Sequence, residues 1–186
     1  MAQIGAPEVK NGVTLIIDGK LYVVLWFMNV KPGKGAAILK TRLKDLRTGN
    51  VLERNFNTNE KFEQAQIDKI AVQYSYSDNG TYYFMDQATY EMYEISDAVL
   101  GDQKYYLIDG MELKLNFYQG EVLDVVLPDK VELIITETSP AVSGAPSTST
   151  KDATCETGLR IRVPQFVEQG EKVIVSTIDG TYQGRA

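Results

Sequence analysis

The 186-residue sequence contains no histidine. Its absence removes histidine-based triads, HExxH zinc sites and the commonest proton shuttle at neutral pH. There is one cysteine, Cys155, so no disulfide can close within the chain, which fits a reducing cytosol. Cys155 reads as a small apolar core residue in preference to a redox centre. No apolar run approaches the roughly 20 residues of a membrane span. The opening MAQIGAPEVKNG lacks the basic start and apolar stretch of a signal peptide. The phosphate-loop spacing G-x-x-x-x-G-K-[ST] and the dinucleotide glycine fingerprint are both missing. These absences lead to the expectation of a cytoplasmic protein with no membrane partner, no metal, no cofactor and no enzymatic acid–base constellation.

What is present is unevenly distributed. Nineteen Lys and Arg stand against 25 Asp and Glu, a net charge of −6. Yet residues 31–47 hold Lys31, Lys34, Lys40, Arg42, Lys44 and Arg47 against the single acid Asp45, while acids concentrate from Asp78 onward. A long-range field that draws the whole molecule onto polyanions is not expected; a local basic contact surface is.

The chain reads as strand after strand. VTLII and LYVVLWF flank Asp18-Gly19, and IAVQYSY and TYYFMD flank a turn ending in Asn79-Gly80. AAILKTRLKDL and VLERNF flank residues 47–50, MELKLNFY and EVLDVVL flank Gln119-Gly120, and VELIITE, GLRIRV and KVIVST continue the series. Two stretches read as helical: 86–95, opening on a capping Asp86, and a single turn over 96–101 ending at Gly101. Residues 139–152, SPAVSGAPSTSTKD, read as a long exposed loop. The fold class is therefore all-β. Breaks near 62–66 and near Pro128 divide it into units of about 60 residues, over 1–64, 65–128 and 129–186, a size that suits small closed barrels.

Alternation along 37–46 puts Ala37, Leu39, Thr41 and Leu43 on one face and Ile38, Lys40, Arg42 and Lys44 on the other. The three cations would lie roughly 6–7 Å apart, near the pitch of phosphates along a nucleic-acid strand. The pattern serves equally as a solvated outer face of a barrel. Just before it, NVKPGKGAA places Lys34 between Gly33 and Gly35, with Pro32 fixing the approach. Both glycines permit positive φ, leaving Lys34 the only long side chain at the apex of a tip, or of an ordinary hairpin. Tyr74, Tyr76, Tyr82 and Tyr83 can stack on bases or pair across strands inside a barrel.

VKPGKGAA followed by LKTRLKDLRTGNVLERNF, then YFMDQATYEMYEI, then ATCETGLRIRVPQFVEQGEKVIVSTIDGTY, together resemble the bacterial elongation factor P family over essentially the whole chain. The resemblance implies an SH3-like, KOW-like first barrel and two OB-fold barrels in an L-shaped arrangement like tRNA. It implies a monomeric factor bound to the 70S ribosome, touching both subunits, between the P and E sites beside P-site tRNA, initiator or prolyl. The tip, Lys31, Pro32, Gly33, Lys34 and Gly35, would contact the tRNA acceptor end. Lys34 would be the site of a post-translational extension by a lysine-modifying enzyme, and consecutive prolines would be joined without stalling. Lys40, Arg42 and Lys44 would meet phosphates, and Tyr182 and Arg185 would touch tRNA from the C-terminus. The alternatives are a general single-stranded-RNA-binding OB-fold protein and the paralogous factor of similar architecture. The sequence departs from the family's pattern at Met28-Asn29, where Gln-His is frequent, at Gly144-Ala145-Pro146, where G-D-T is frequent, and at Cys155, usually Leu.

Overall fold

The computed structural model describes residues 2–186, and its regular structure is almost wholly β-strand. The first sheet joins β1 (Ala2–Gly5), β2 (Thr14–Ile17), β3 (Lys20–Val30), β4 (Ile38–Asp45), β5 (Val51–Asn57) and β6 (Lys61–Gln64) in the order β1-β6-β2-β3-β4-β5. The second joins β7 (Asp68–Asp78), β8 (Thr81–Asp86), β9 (Met92–Ser96), β10 (Glu112–Tyr118) and β11 (Glu121–Val126) in the order β11-β10-β7-β8-β9. The third joins β12 (Lys130–Thr138), β13 (Thr150–Cys155), β14 (Arg160–Pro164), β15 (Lys172–Ser176) and β16 (Tyr182–Arg185) in the order β14-β13-β12-β15-β16. Each sheet curls like a barrel, so the chain has three β-rich domains. The one α-helical turn among the described residues, α1 (Asp97–Leu100), ends at Gly101 with φ 54° and runs into a 3-10 turn over Gly101–Tyr106.

Three hairpins close on the same two-residue turn. Asp18 and Gly19 have φ of 53° and 75°, Asn79 and Gly80 47° and 78°, Gln119 and Gly120 50° and 79°. Positive φ at both positions gives a twist that matches the flanking strands.

A second loop recurs once in each sheet, in DLRTGN (45–50), DQATYE (86–91) and STIDGT (176–181). The first residue's N–H donates to the sixth carbonyl, Asp45 to Asn50 at 2.8 Å, Asp86 to Glu91 at 2.8 Å and Ser176 to Thr181 at 2.9 Å. The fifth residue's N–H donates back to the first carbonyl at 2.9 Å in all three. In the first two loops the leading carboxylate caps the turn: Asp45 Oδ1 accepts from Arg47 N at 2.8 Å and Thr48 N at 3.1 Å. Asp86 Oδ1 does the same for Ala88 N at 2.7 Å and Thr89 N at 3.1 Å. These bonds hold the Asp86 carboxyl below its ordinary value. The fifth residue has positive φ each time, in Gly49, Tyr90 and Gly180. At Gly180 a side chain would be strained by the backbone angle and crowded as well, since a Cβ would stand 2.9 Å from the Tyr106 hydroxyl, which would have to shift.

This loop corrects the helix expected over 86–95. Asp86 does cap backbone N–H groups, but for one turn only, and the chain then leaves in β9. The loop expected over 139–152 also ends early: β13 begins at Thr150 and buries Lys151, whose amine donates to the Ser139 carbonyl. The break expected near 62–66 overlaps β6, which pairs with β1 (Ile4↔Phe62) and β2 (Leu15↔Gln64).

Contacts gather the chain into two compact units. One takes the chain through Ile70 with Tyr93–Gly101 and Leu115–Asp124; the other takes Ala71–Met92, Asp102–Lys114 and Val125–Ala186. The first unit has one core around Leu15, Val24, Leu39, Leu43, Phe56 and Phe62, and another around Leu21, Leu46, Ala65 and Leu123. The second unit has a core of Leu133, Ile135, Val163, Val167, Val173 and Val175, with Cys155 inside it. Burying each such side chain contributes about 1.5–3 kcal/mol. Cys155 is buried and its thiol is pushed up to about 11 by burial and then by Glu156, as a core residue requires.

Candidate functional site

The tip stands on the two long strands of the first sheet. β3 and β4 pair from Tyr22↔Asp45 to Val30↔Ile38, and residues 31–36 between them are exposed. Leu39 and Leu43 are fully buried and anchor the base of this prong, and Thr58 N donates to the Ala37 carbonyl at 3.2 Å. Gly35 takes φ 119°, a region that L side chains rarely adopt, and a Cβ there would be 3.9 Å from the Pro32 ring. Gly33, by contrast, does not take positive φ, so only one of the two glycines uses the freedom expected of both. Around Gly33 there is open space. Lys34 is exposed between them.

The alternation along β4 is as expected. Leu39, Thr41 and Leu43 are buried, while Lys40 and Arg42 are exposed and Lys44 is half-buried. The cations differ in their engagement. Arg42 Nη2 meets Glu53 Oε1 at 2.8 Å across β5. Lys44 acts on the Asp124 carboxyl. Lys40 makes no ion pair among the described residues.

The same face holds two large apolar side chains that sequence reading did not single out. Strict alternation from the buried Val24 would turn Trp26 inward. A β-bulge between Val24 and Trp26 inserts Leu25 as an extra residue, so Val24 pairs with Leu43 but Trp26 pairs with Arg42. Phe27 then faces the core, and Trp26 and Met28 each remain 44% exposed. The result is two rows across three strands, Trp26–Arg42–Glu53 and Met28–Lys40–Asn55, lining one shallow groove.

The tyrosines pair across strands. Tyr76 and Tyr83 are register partners with rings stacked at 4.5 Å and 18°. Tyr74 is buried, 6.1 Å from Tyr82 and 5.5 Å from Phe84. Near the C-terminus Tyr182 packs on the third sheet's core, and Arg185 meets Glu171 at 3.4 Å and covers the Phe166 ring at 4.6 Å. Gly144-Ala145-Pro146 lies in the loop between β12 and β13. Among the described residues no group of His, Cys, Asp and Glu could hold a metal ion, and no helix is long and apolar enough to cross a membrane.

Three family models match in order: the elongation factor P KOW-like domain over residues 5–62, its OB domain over 67–125 and its C-terminal domain over 131–185. Curated elongation factor P proteins match end to end. The one from Streptococcus gordonii is 44% identical over 98% of this chain and all of its own length. That of Streptococcus pyogenes serotype M5 is 43% identical over the same shares. Among solved structures, eukaryotic translation initiation factor 5A from Methanococcus jannaschii covers 67% of this chain and 94% of its own, with a TM-score of 0.53 at 23% identity, a likeness of fold. The chain belongs to the elongation factor P family of translation elongation factors, proteins that are not themselves enzymes.

Proposed function

We propose that this factor binds the ribosome between the P and E sites, next to P-site tRNA, and relieves stalling at consecutive prolines by positioning the CCA end through the Lys34 tip. The observation that carries the reading is a single exposed lysine at the apex of a two-stranded prong whose base is locked by buried leucines. Family membership supplies the translational setting.

The chemistry is one of orientation. Proline's ring restricts its approach as a nucleophile, and a nascent Pro-Pro segment disfavours the reactive geometry. Holding the acceptor end still contributes part of the barrier lowering available to positioned reactants, up to roughly 7–11 kcal/mol in ideal intramolecular cases. Lys34 meets the backbone of the terminal nucleotides with charge and hydrogen bonds, and Lys31, Pro32, Gly33 and Gly35 shape the approach. An extension of the Lys34 amine by a modifying enzyme lengthens the reach. Lys40 and Lys44 meet phosphates, while Arg42, expected to do the same, is held by Glu53 at 2.8 Å. Tyr182 and Arg185 touch tRNA from the C-terminus, Arg185 in competition with its contact to Glu171 at 3.4 Å. On this reading the domains run over 1–64, 65–128 and 129–186, and the protein works in the cytoplasm as a monomer touching both ribosomal subunits and initiator or prolyl tRNA.

The test is Lys34→Ala in a reconstituted translation of a Pro-Pro template. The variant keeps its melting temperature and loses rescue; rescue at the parent's level removes the mechanism.

A further inference from the structure

We propose that Trp26 is a stacking platform for one unpaired RNA base, with Lys40 holding the phosphate beside it. The inference rests on the reading of the β4 face as RNA-facing and adds to it a contact that recognises a base.

An exposed tryptophan on a strand is costly, since its large apolar surface stays wet. Here the exposure is built in. The bulge at Leu25 breaks the alternation that would have buried Trp26 and turns it onto the face that carries the cations. Bulges of this kind re-aim side chains, and this one returns Phe27 to the core, so no inward position is lost.

The charges beside the ring divide the groove. In the Trp26 row the Arg42 guanidinium is neutralised by Glu53 at 2.8 Å. In the Met28 row Lys40 is opposed only by the neutral Asn55. The rows are two residues apart along each strand, roughly 6–7 Å, a span on the scale of one nucleotide. A phosphate is therefore favoured over Lys40, and a base, which carries no net charge, over the Trp26 row. Glu53 discourages a second phosphate there. An unpaired base offers both of its faces, whereas a duplex hides them in the stack, so the occupant is single-stranded RNA.

Trp26 is the only tryptophan in the chain, so 5-fluorotryptophan gives one fluorine NMR resonance. The full-length protein is titrated with a single-stranded RNA hexamer and with the same hexamer made abasic at every position. The intact hexamer shifts the resonance and the abasic one leaves it in place. Trp26→Ala weakens hexamer binding about tenfold, Trp26→Phe restores most of it, and neither changes the salt slope. Lys40→Ala instead flattens that slope by about one ion. Equal shifts from both hexamers, no shift from either, or unweakened binding by a folded Trp26→Ala overturns the proposal. A resonance that responds only to a protein partner, such as the enzyme acting on Lys34, overturns it too. Lys34→Ala separates the two readings: it keeps the fluorine shift if the platform exists, whatever it does to Pro-Pro rescue.

Discussion

Asn116 Nδ2 donates to Asp124 Oδ1 at 2.6 Å between the neighbouring strands β10 and β11. Burial pushes the Asp124 carboxyl up, against the Asn116 hydrogen bond and the weaker pull of Lys44 and Lys69. Asn116 Oδ1 is buried without a hydrogen-bond partner. The pair is thus a polar contact whose charged form is disfavoured by its surroundings.

A carboxyl raised in the folded state binds more protons there than in the unfolded chain, so its contribution to stability grows as pH falls through its folded pKa toward the ordinary aspartate value. Asp124→Asn keeps the acceptor and removes the titration. The difference in melting temperature, parent minus Asp124→Asn, should rise between pH 7 and pH 4 in matched thermal scans. A difference that stays flat with pH would show that burial does not perturb this carboxyl. Asp86 and Asp179 run the opposite way, because hydrogen bonds hold both carboxyls low; their contributions are lost as pH falls below the ordinary aspartate range.

In the first unit, Leu123 packs with Leu21, Leu46 and Ala65, and Arg47 Nη2 meets Glu121 Oε2 at 3.1 Å. Both ion-pair partners are about half exposed, so solvent screens them and their coupling is worth about 0.2–1 kcal/mol. Leu123→Ala should cost about 2–5 kcal/mol. Urea unfolding of Leu123→Ala, beside a double-mutant cycle on Arg47 and Glu121, ranks the two. A larger ion-pair coupling than leucine cost would reverse the assignment.

Cys155 has a thiol pushed up to about 11 inside the third sheet's core. It should resist thiol reagents at pH 7 in the folded protein and react fully in denaturant. Cys155→Ser places a hydroxyl among apolar side chains and should cost about 1–3 kcal/mol by urea unfolding. Rapid labelling of the native protein would mean that the site opens.

Tyr90 occupies with φ 62° the loop position that Gly49 and Gly180 fill elsewhere, and its side chain is 72% exposed. A left-handed non-glycine residue costs about 1–2 kcal/mol, partly offset by the unfolded-state entropy of glycine. Tyr90→Gly should therefore raise stability by about 0.5–1 kcal/mol in chemical denaturation. Destabilisation would reveal a packing role for the ring.

Much of this was legible locally. Asp18-Gly19, Asn79-Gly80 and Gln119-Gly120 marked hairpins because a two-residue turn is set by its own residues. The Lys34 tip and the alternation of 38–44 were equally readable. The threefold loop was present as DLRTGN, DQATYE and STIDGT, yet DQATYEMYEI looked helical, since capping aspartates open helices and this loop alike. What followed Asp86 depended on the Glu91 carbonyl returning to it.

The short strands β1, β6 and β16 have too few residues to declare a period, and each exists because a partner supplies its hydrogen bonds. The candidate site divides in the same way. Sequence alone determined that one lysine caps a glycine-bounded tip beside a basic strand, because charge and turn chemistry are properties of neighbouring residues. Only the tertiary structure decided that Arg42 is spoken for by Glu53, that Lys40 is not, and that Trp26 faces outward with them. Those outcomes depend on strand register, and register is fixed by pairing between segments far apart in the chain.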